Sequence, residues 1–171
     1  MTARAREVLR DCERLLNALR ADIPGELWRP RWAGLVTLLR AVGHVLDKVD
    51  AATSPNAQRA IAAAWAELNR SKPEPAIFWG FIDAKRNNVV KAYEFGVAVN
   101  ITLRPGTGRL SLSTGEESWT PGQPPTFEAF VRSGPFKGRD PLQLCREALD
   151  FWARYLDDID HRIAEQDRRP V

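Results

Sequence analysis

RPRWAGLVTLLRAVGHVLDKVDA, residues 29–51, is the stretch that decides the fold. Its apolar residues Trp32, Leu35, Leu39, Val42, Leu46 and Val49 are separated by alternating steps of three and four. That spacing puts them on one stripe of an α-helix, a seam that packs on neighbouring helices at a shallow angle. Pro30 fits the first turn, where its missing N–H costs little. A long helix over about 29–51 is expected.

Working outward, the same period recurs. Upstream, Val8, Cys12, Leu15 and Leu19 form one stripe over 3–21, closed by the turn residues Asp22-Ile23-Pro24-Gly25. Downstream, Ile61, Ala64, Trp65 and Leu68 mark a third helix over about 57–70, broken by Lys72-Pro73-Glu74-Pro75. A fourth helix is expected from about Pro75 to about Phe95, with Phe78, Ile82, Val89 and Tyr93 on its stripe. The last begins at Asp140-Pro141 and keeps its seam through Leu142, Cys145, Leu149, Trp152, Leu156, Ile159 and Ile163. Between them the period changes to two. Val97, Val99, Ile101 and Leu103 alternate, Pro105-Gly106-Thr107-Gly108 reads as a turn, and Leu110 and Leu112 resume the alternation. Residues 114–125 read as loop, with Phe127, Phe130, Val131 and Phe136 as anchors. The expected fold is all-α, a bundle of four to five helices with a β-hairpin over about 97–113 before the last helix, in one domain over 1–171. A lone two-stranded hairpin is marginal in water, so it should lie on the bundle or pair with another subunit.

Composition narrows the function. The chain has 171 residues, 44% of them hydrophobic and 27% charged, which excludes a disordered chain. Two cysteines exclude a disulfide framework, and both fall on seams as buried thiols. Two histidines, His44 and His161, argue against a histidine-rich metal site. No metal and no cofactor are expected. The basic N-terminus has no apolar run behind it, and nothing approaches a membrane span of about 20 apolar residues, so a cytoplasmic protein is expected. The net charge is +3, with the excess of basic residues before 139 and the acidic excess after it. That is far from the footprint of a dedicated DNA-binding domain. Six tryptophans suit packing, with base stacking as their functional alternative.

Chemistry concentrates in the fourth helix. Arg86 interrupts its apolar stripe, and a guanidinium there must be paired or put to use. Asn87, Lys91 and Tyr93 lie on or beside the same face, making one polar cluster with Arg86. The plain reading pairs Arg86 with Asp47 or Asp150 and leaves Tyr93 in the core. A phosphate clamp made by Arg86 and Lys91 is another reading.

The string Arg86-Asn87-Asn88-Val89-Val90-Lys91-Ala92-Tyr93 resembles the motif of the HEPN superfamily of helical-bundle proteins. That motif is Arg, often followed by Asn, then His after four to six residues. The HepT-type toxins carry Arg, four residues, His, one residue, Tyr. Arg86, Asn87 and Tyr93 match, and Lys91 stands in the place of the histidine. The resemblance implies a four- to five-helix bundle, a homodimer with the motif at its interface, and a metal-independent ribonuclease of a toxin–antitoxin or phage-defence system. It also implies RNA as substrate and a nucleotidyltransferase or another operon product as partner. Arg86 would contact the phosphate, Asn87 would orient it, and Lys91 or Tyr93 would stabilise charge. A lysine, at about 10.4, is a poor proton acceptor unless its pKa is depressed. His44, bordering the second helix's seam, is the one substitute in view.

Overall fold

A computed structural model describes residues 1–21, 27–85, 94–104, 107–110, 117–120 and 122–168. The fold is an all-α bundle carrying a β-hairpin. Among the described residues its main helices are α1 (Ala3–Ala21), α2 (Trp28–Val45), α3 (Pro55–Arg70), the short π-helical α4 (Ile77–Asp83) and α5 (Pro141–Arg168). The expected seams pack into one core, except that on α1 Leu9 and Leu16 are buried while the expected Val8 and Leu15 are only partly buried beside them. Cys12, Leu16 and Leu19 from α1 meet Trp32, Leu35, Leu39 and Val42 from α2, and Cys145, Trp152, Leu156 and Ile159 from α5. Both cysteines are free and buried, and burial pushes the Cys12 thiol up to about 12.

Local chemistry sets the helix ends. The Ser54 hydroxyl accepts the Ala57 N–H at 3.1 Å, and Pro55 opens α3 behind it. The second helix does continue to residue 50, but as a π-helical turn, Leu46–Asp50, followed by a 3₁₀ turn, Ala51–Thr53. A π turn holds one more residue than an α turn, so the seam slips by one position. Val49, expected on the seam, is 46% exposed, and Asp50 takes its place at 1%. The inward carboxylate accepts the backbone N–H of Arg4 at 3.0 Å and of Ala5 at 2.8 Å. Asp160 on α5 accepts the Thr2 N–H at 2.7 Å and the Thr2 hydroxyl at 2.9 Å. The orphan donors at the start of α1 are thus met by carboxylates from two other elements.

The hairpin is longer than expected. Strand β1 (Val97–Arg104) pairs antiparallel with β4 (Gln123–Val131), from Val97 opposite Val131 to Thr102 opposite Thr126. The register then slips by one residue, and β2 (Thr107–Leu110) pairs with β3 (Glu117–Thr120). Residues 107 and 108, expected in the turn, are paired, and so is most of 117–125, expected as loop. The described strands therefore lie between 97 and 131, reaching well past the expected end at 113. The base is fixed: Val131 is buried, Val97 and Ala129 pack on the core, and the Arg132 N–H donates to the Gly96 carbonyl at 2.9 Å.

Candidate functional site

The four residues expected to carry chemistry, Arg86, Asn87, Lys91 and Tyr93, lie outside the described residues, as does Val89. Their flanks are placed. Before them, α4 buries Phe78, Phe81 and Ile82 and leads to Lys85. After them, Glu94 to Gly96 are not helical, so the fourth helix does not reach Phe95 as expected. The Trp32 indole N–H donates to the Phe95 carbonyl at 3.1 Å, and the Arg29 guanidinium sits 4.6 Å from the centre of the Phe95 ring. Gly96 has φ +61°, and a Cβ there would lie 2.7 Å from Lys85 Nζ. The residues that bracket the motif are thus in contact with each other. Lys85 itself is only 5% exposed, and burial lowers its pKa from the ordinary lysine value.

Near α4 lies a groove of about 430 Å³ between α2 and α3, floored by Trp152 and Tyr155 of α5. One wall carries Arg40, Gly43 and His44. The other carries Ile61 and Trp65. Arg40 Nε donates to Asp83 Oδ1 at 3.0 Å, which ties this wall to the end of α4, three residues before Arg86. Among the described residues, no other hydrogen bond to the Arg40 guanidinium is formed. At the rim Lys48 pairs with Asp47 at 2.8 Å. His44 is exposed one turn beyond Arg40, on the groove wall. His161 is exposed late in α5.

Two close approaches shape the groove. The Trp152 indole N–H donates to the Leu39 carbonyl at 2.7 Å, which draws the ring against α2. A Cβ on Gly43 would lie 2.9 Å from Trp152 Cη2, so only glycine lets the ring so near. Trp65, expected on the third helix's buried face, is 41% exposed. It is still held from behind, edge to face with Phe78 at 5.9 Å and tilted against Trp79 at 6.1 Å. Tyr155 stacks on Phe151 at 5.7 Å, and burial raises its phenol pKa.

Sequence reasoning singled out neither Arg40 nor the groove. The available signal was Arg40 interrupting an apolar helix directly after Leu39, the same anomaly that drew attention to Arg86. Among the described residues, no group of three or more His, Cys, Asp or Glu side chains is placed to hold a metal ion. No described helix is long and apolar enough to cross a membrane. No family model, no curated protein and no solved structure matches this chain.

Proposed function

We propose that the chain is a HEPN-like, RNA-engaging protein that works as a metal-independent endoribonuclease in a toxin–antitoxin or phage-defence system. The observation that carries this reading is the spacing Arg86-Asn87, then Lys91 and Tyr93, within a helical-bundle fold. Arg86 contacts the scissile phosphate, and a guanidinium suits that by its charge and its paired donors. Asn87 orients the phosphate, and Lys91 or Tyr93 stabilises developing charge. The active form is a homodimer, and a nucleotidyltransferase or another operon product is its partner. The test is incubation with tRNA and total RNA in excess EDTA, beside Arg86→Ala. Cleavage by wild type alone is expected. Equal activity of the two proteins overturns the site.

Lys91 favours a second reading, because its position calls for a group that titrates near neutral pH. In it the cluster is a polar lock, and the bundle is a non-catalytic interaction protein. Arg86→Ala then lowers the melting temperature or dissociates a dimer, and no wild-type cleavage exists to be lost. Differential scanning fluorimetry and light scattering decide between the two.

A further inference from the structure

The groove between α2 and α3 has the features of a small-molecule site: concave, mostly apolar, with few polar groups. Its volume of about 430 Å³ suits a ligand of one planar ring system and a sugar. Two features select the ligand. The first is Trp65, a large aromatic left 41% exposed yet held in place by Phe78 and Trp79. A large aromatic that is held by its neighbours and still exposed can serve as a stacking platform. The second is Arg40. Asp83 accepts from its Nε at 3.0 Å, its Cζ lies 5.9 Å over the Phe78 ring, and no other described group accepts from its terminal nitrogens, while the residue lines the groove. A fixed guanidinium with two parallel donors matches two adjacent acceptors.

Charge balance then separates a base from a phosphate. Among the described residues, each strong cation on the groove has a carboxylate partner, Arg40 with Asp83 and Lys48 with Asp47. A phosphate would give up water and find no unpaired cation among these residues. A nucleobase needs none. Among bases, guanine offers adjacent acceptors at O6 and N7, whereas adenine places an amino donor beside N7 and the pyrimidines give less area to stack.

We infer that this groove holds an unstacked guanine base, face to face with Trp65 and with O6 and N7 toward the Arg40 fork. The inference rests on the RNA reading above and deepens it. Asp83 links Arg40 to the end of α4, three residues before Arg86 in the sequence, so the proposed base site is tied to the helix that precedes the motif.

Titration calorimetry of the full chain in EDTA, with GMP, AMP, CMP, UMP and inorganic phosphate, tests it. GMP should bind about tenfold or more tighter than AMP, pyrimidine nucleotides more weakly still, and phosphate not measurably. Trp65→Leu should weaken GMP and AMP alike by about tenfold or more, and Trp65→Phe should restore much of the loss. Arg40→Gln should bring the GMP/AMP ratio to about one. Melting curves of each variant confirm that it is folded. Equal binding of the four nucleotides, binding that survives both Trp65→Leu and Arg40→Gln, or no nucleotide binding overturns the inference. So does a Trp65-dependent dimer that binds no nucleotide, which would give the groove to a second copy. The two readings fail separately. Groove-dependent GMP binding without Arg86-dependent cleavage sinks the ribonuclease. Arg86-dependent cleavage without base preference sinks the guanine pocket.

Discussion

The start of α1 and the groove between α2 and α3 both set charged groups among apolar side chains, and they treat them in opposite ways. At the start of α1 the donors and acceptors close on each other. Asp50 and Asp160 take the N–H groups of Thr2, Arg4 and Ala5, and Arg6 bonds back to Asp160 at 2.9 Å and Asp157 at 2.7 Å. In the groove the set stays open. Arg40 gives one nitrogen to Asp83, and Trp65 is left 41% exposed. A closed polar set specifies how helices dock. An open one costs stability unless something fills it, and that makes it the better candidate for function.

Trp152 is both core and groove floor, so its loss should give the largest effect. Trp152→Ala removes a side chain only 1% exposed together with its bond to Leu39. About 3–5 kcal/mol of stability should go, read by urea unfolding. A loss under about 1 kcal/mol would mean that the indole is not part of a packed core. Asp50→Ala attacks the closed set. It strands the N–H groups of Arg4 and Ala5, at about 1–3 kcal/mol for each buried donor. The same unfolding experiment should show about 2–4 kcal/mol lost, and amide hydrogen exchange should speed up in the first turn of α1. Unchanged exchange there would show that Asp50 does not cap the helix. Gly43→Ala attacks the open set. The new methyl meets Trp152 at 2.9 Å, an overpacking cost of about 1–3 kcal/mol against about 1 kcal/mol gained in helix propensity. A net loss of about 1 kcal/mol is expected, with a red or blue shift in Trp152 emission as the ring moves. A stabilised variant with unchanged emission would show that the ring is free to withdraw.

What could be read from the sequence follows the range of the interaction that fixes it. The seams on α1, α2 and α5 repeat every three or four residues, so periodicity alone finds them. The exchange of Val49 for Asp50 cannot be found that way. Its cause is the first turn of α1, far back in the chain, whose N–H groups draw the carboxylate inward through a π turn. The hairpin shows the same limit. Pro105-Gly106-Thr107-Gly108 carries the residues of a turn, but pairing resumes at Thr107 opposite Thr120, after a one-residue slip between Thr102 and Arg104. Glu117–Thr120 lacks an alternating apolar pattern and becomes a strand through its partner, β2. The groove is less legible still, because it exists where α2 and α3 fail to close over α5. Arg86, Asn87, Lys91 and Tyr93 were legible only as a motif, and they fall outside the described residues.

The smallest effect expected is also the most specific test of the closed set. Burial opposes the charged form of Asp160, but the bonds from Arg6 and Thr2 outweigh it and hold the carboxyl below its ordinary value. The folded pKa is therefore lower than the unfolded value of about 3.9. A group shifted in that direction stabilises the fold fully above the unfolded pKa and loses its contribution as pH falls through the folded one. Asp160→Asn abolishes this titration and weakens the pairing with Arg6. The variant should melt below wild type at neutral pH, and the gap should narrow as pH falls below about 4. Arg6→Gln should narrow it in the same window, because the Arg6 bonds are the largest of the favourable contributions at Asp160. Thermal melts from about pH 7 to about pH 2.5 read the effect. A gap independent of pH would assign the loss to packing of the amide and not to the charge on Asp160. Asp160 would then act at the start of α1 through its hydrogen bonds to Thr2 and not through its charge, leaving Asp50 as the charged acceptor there.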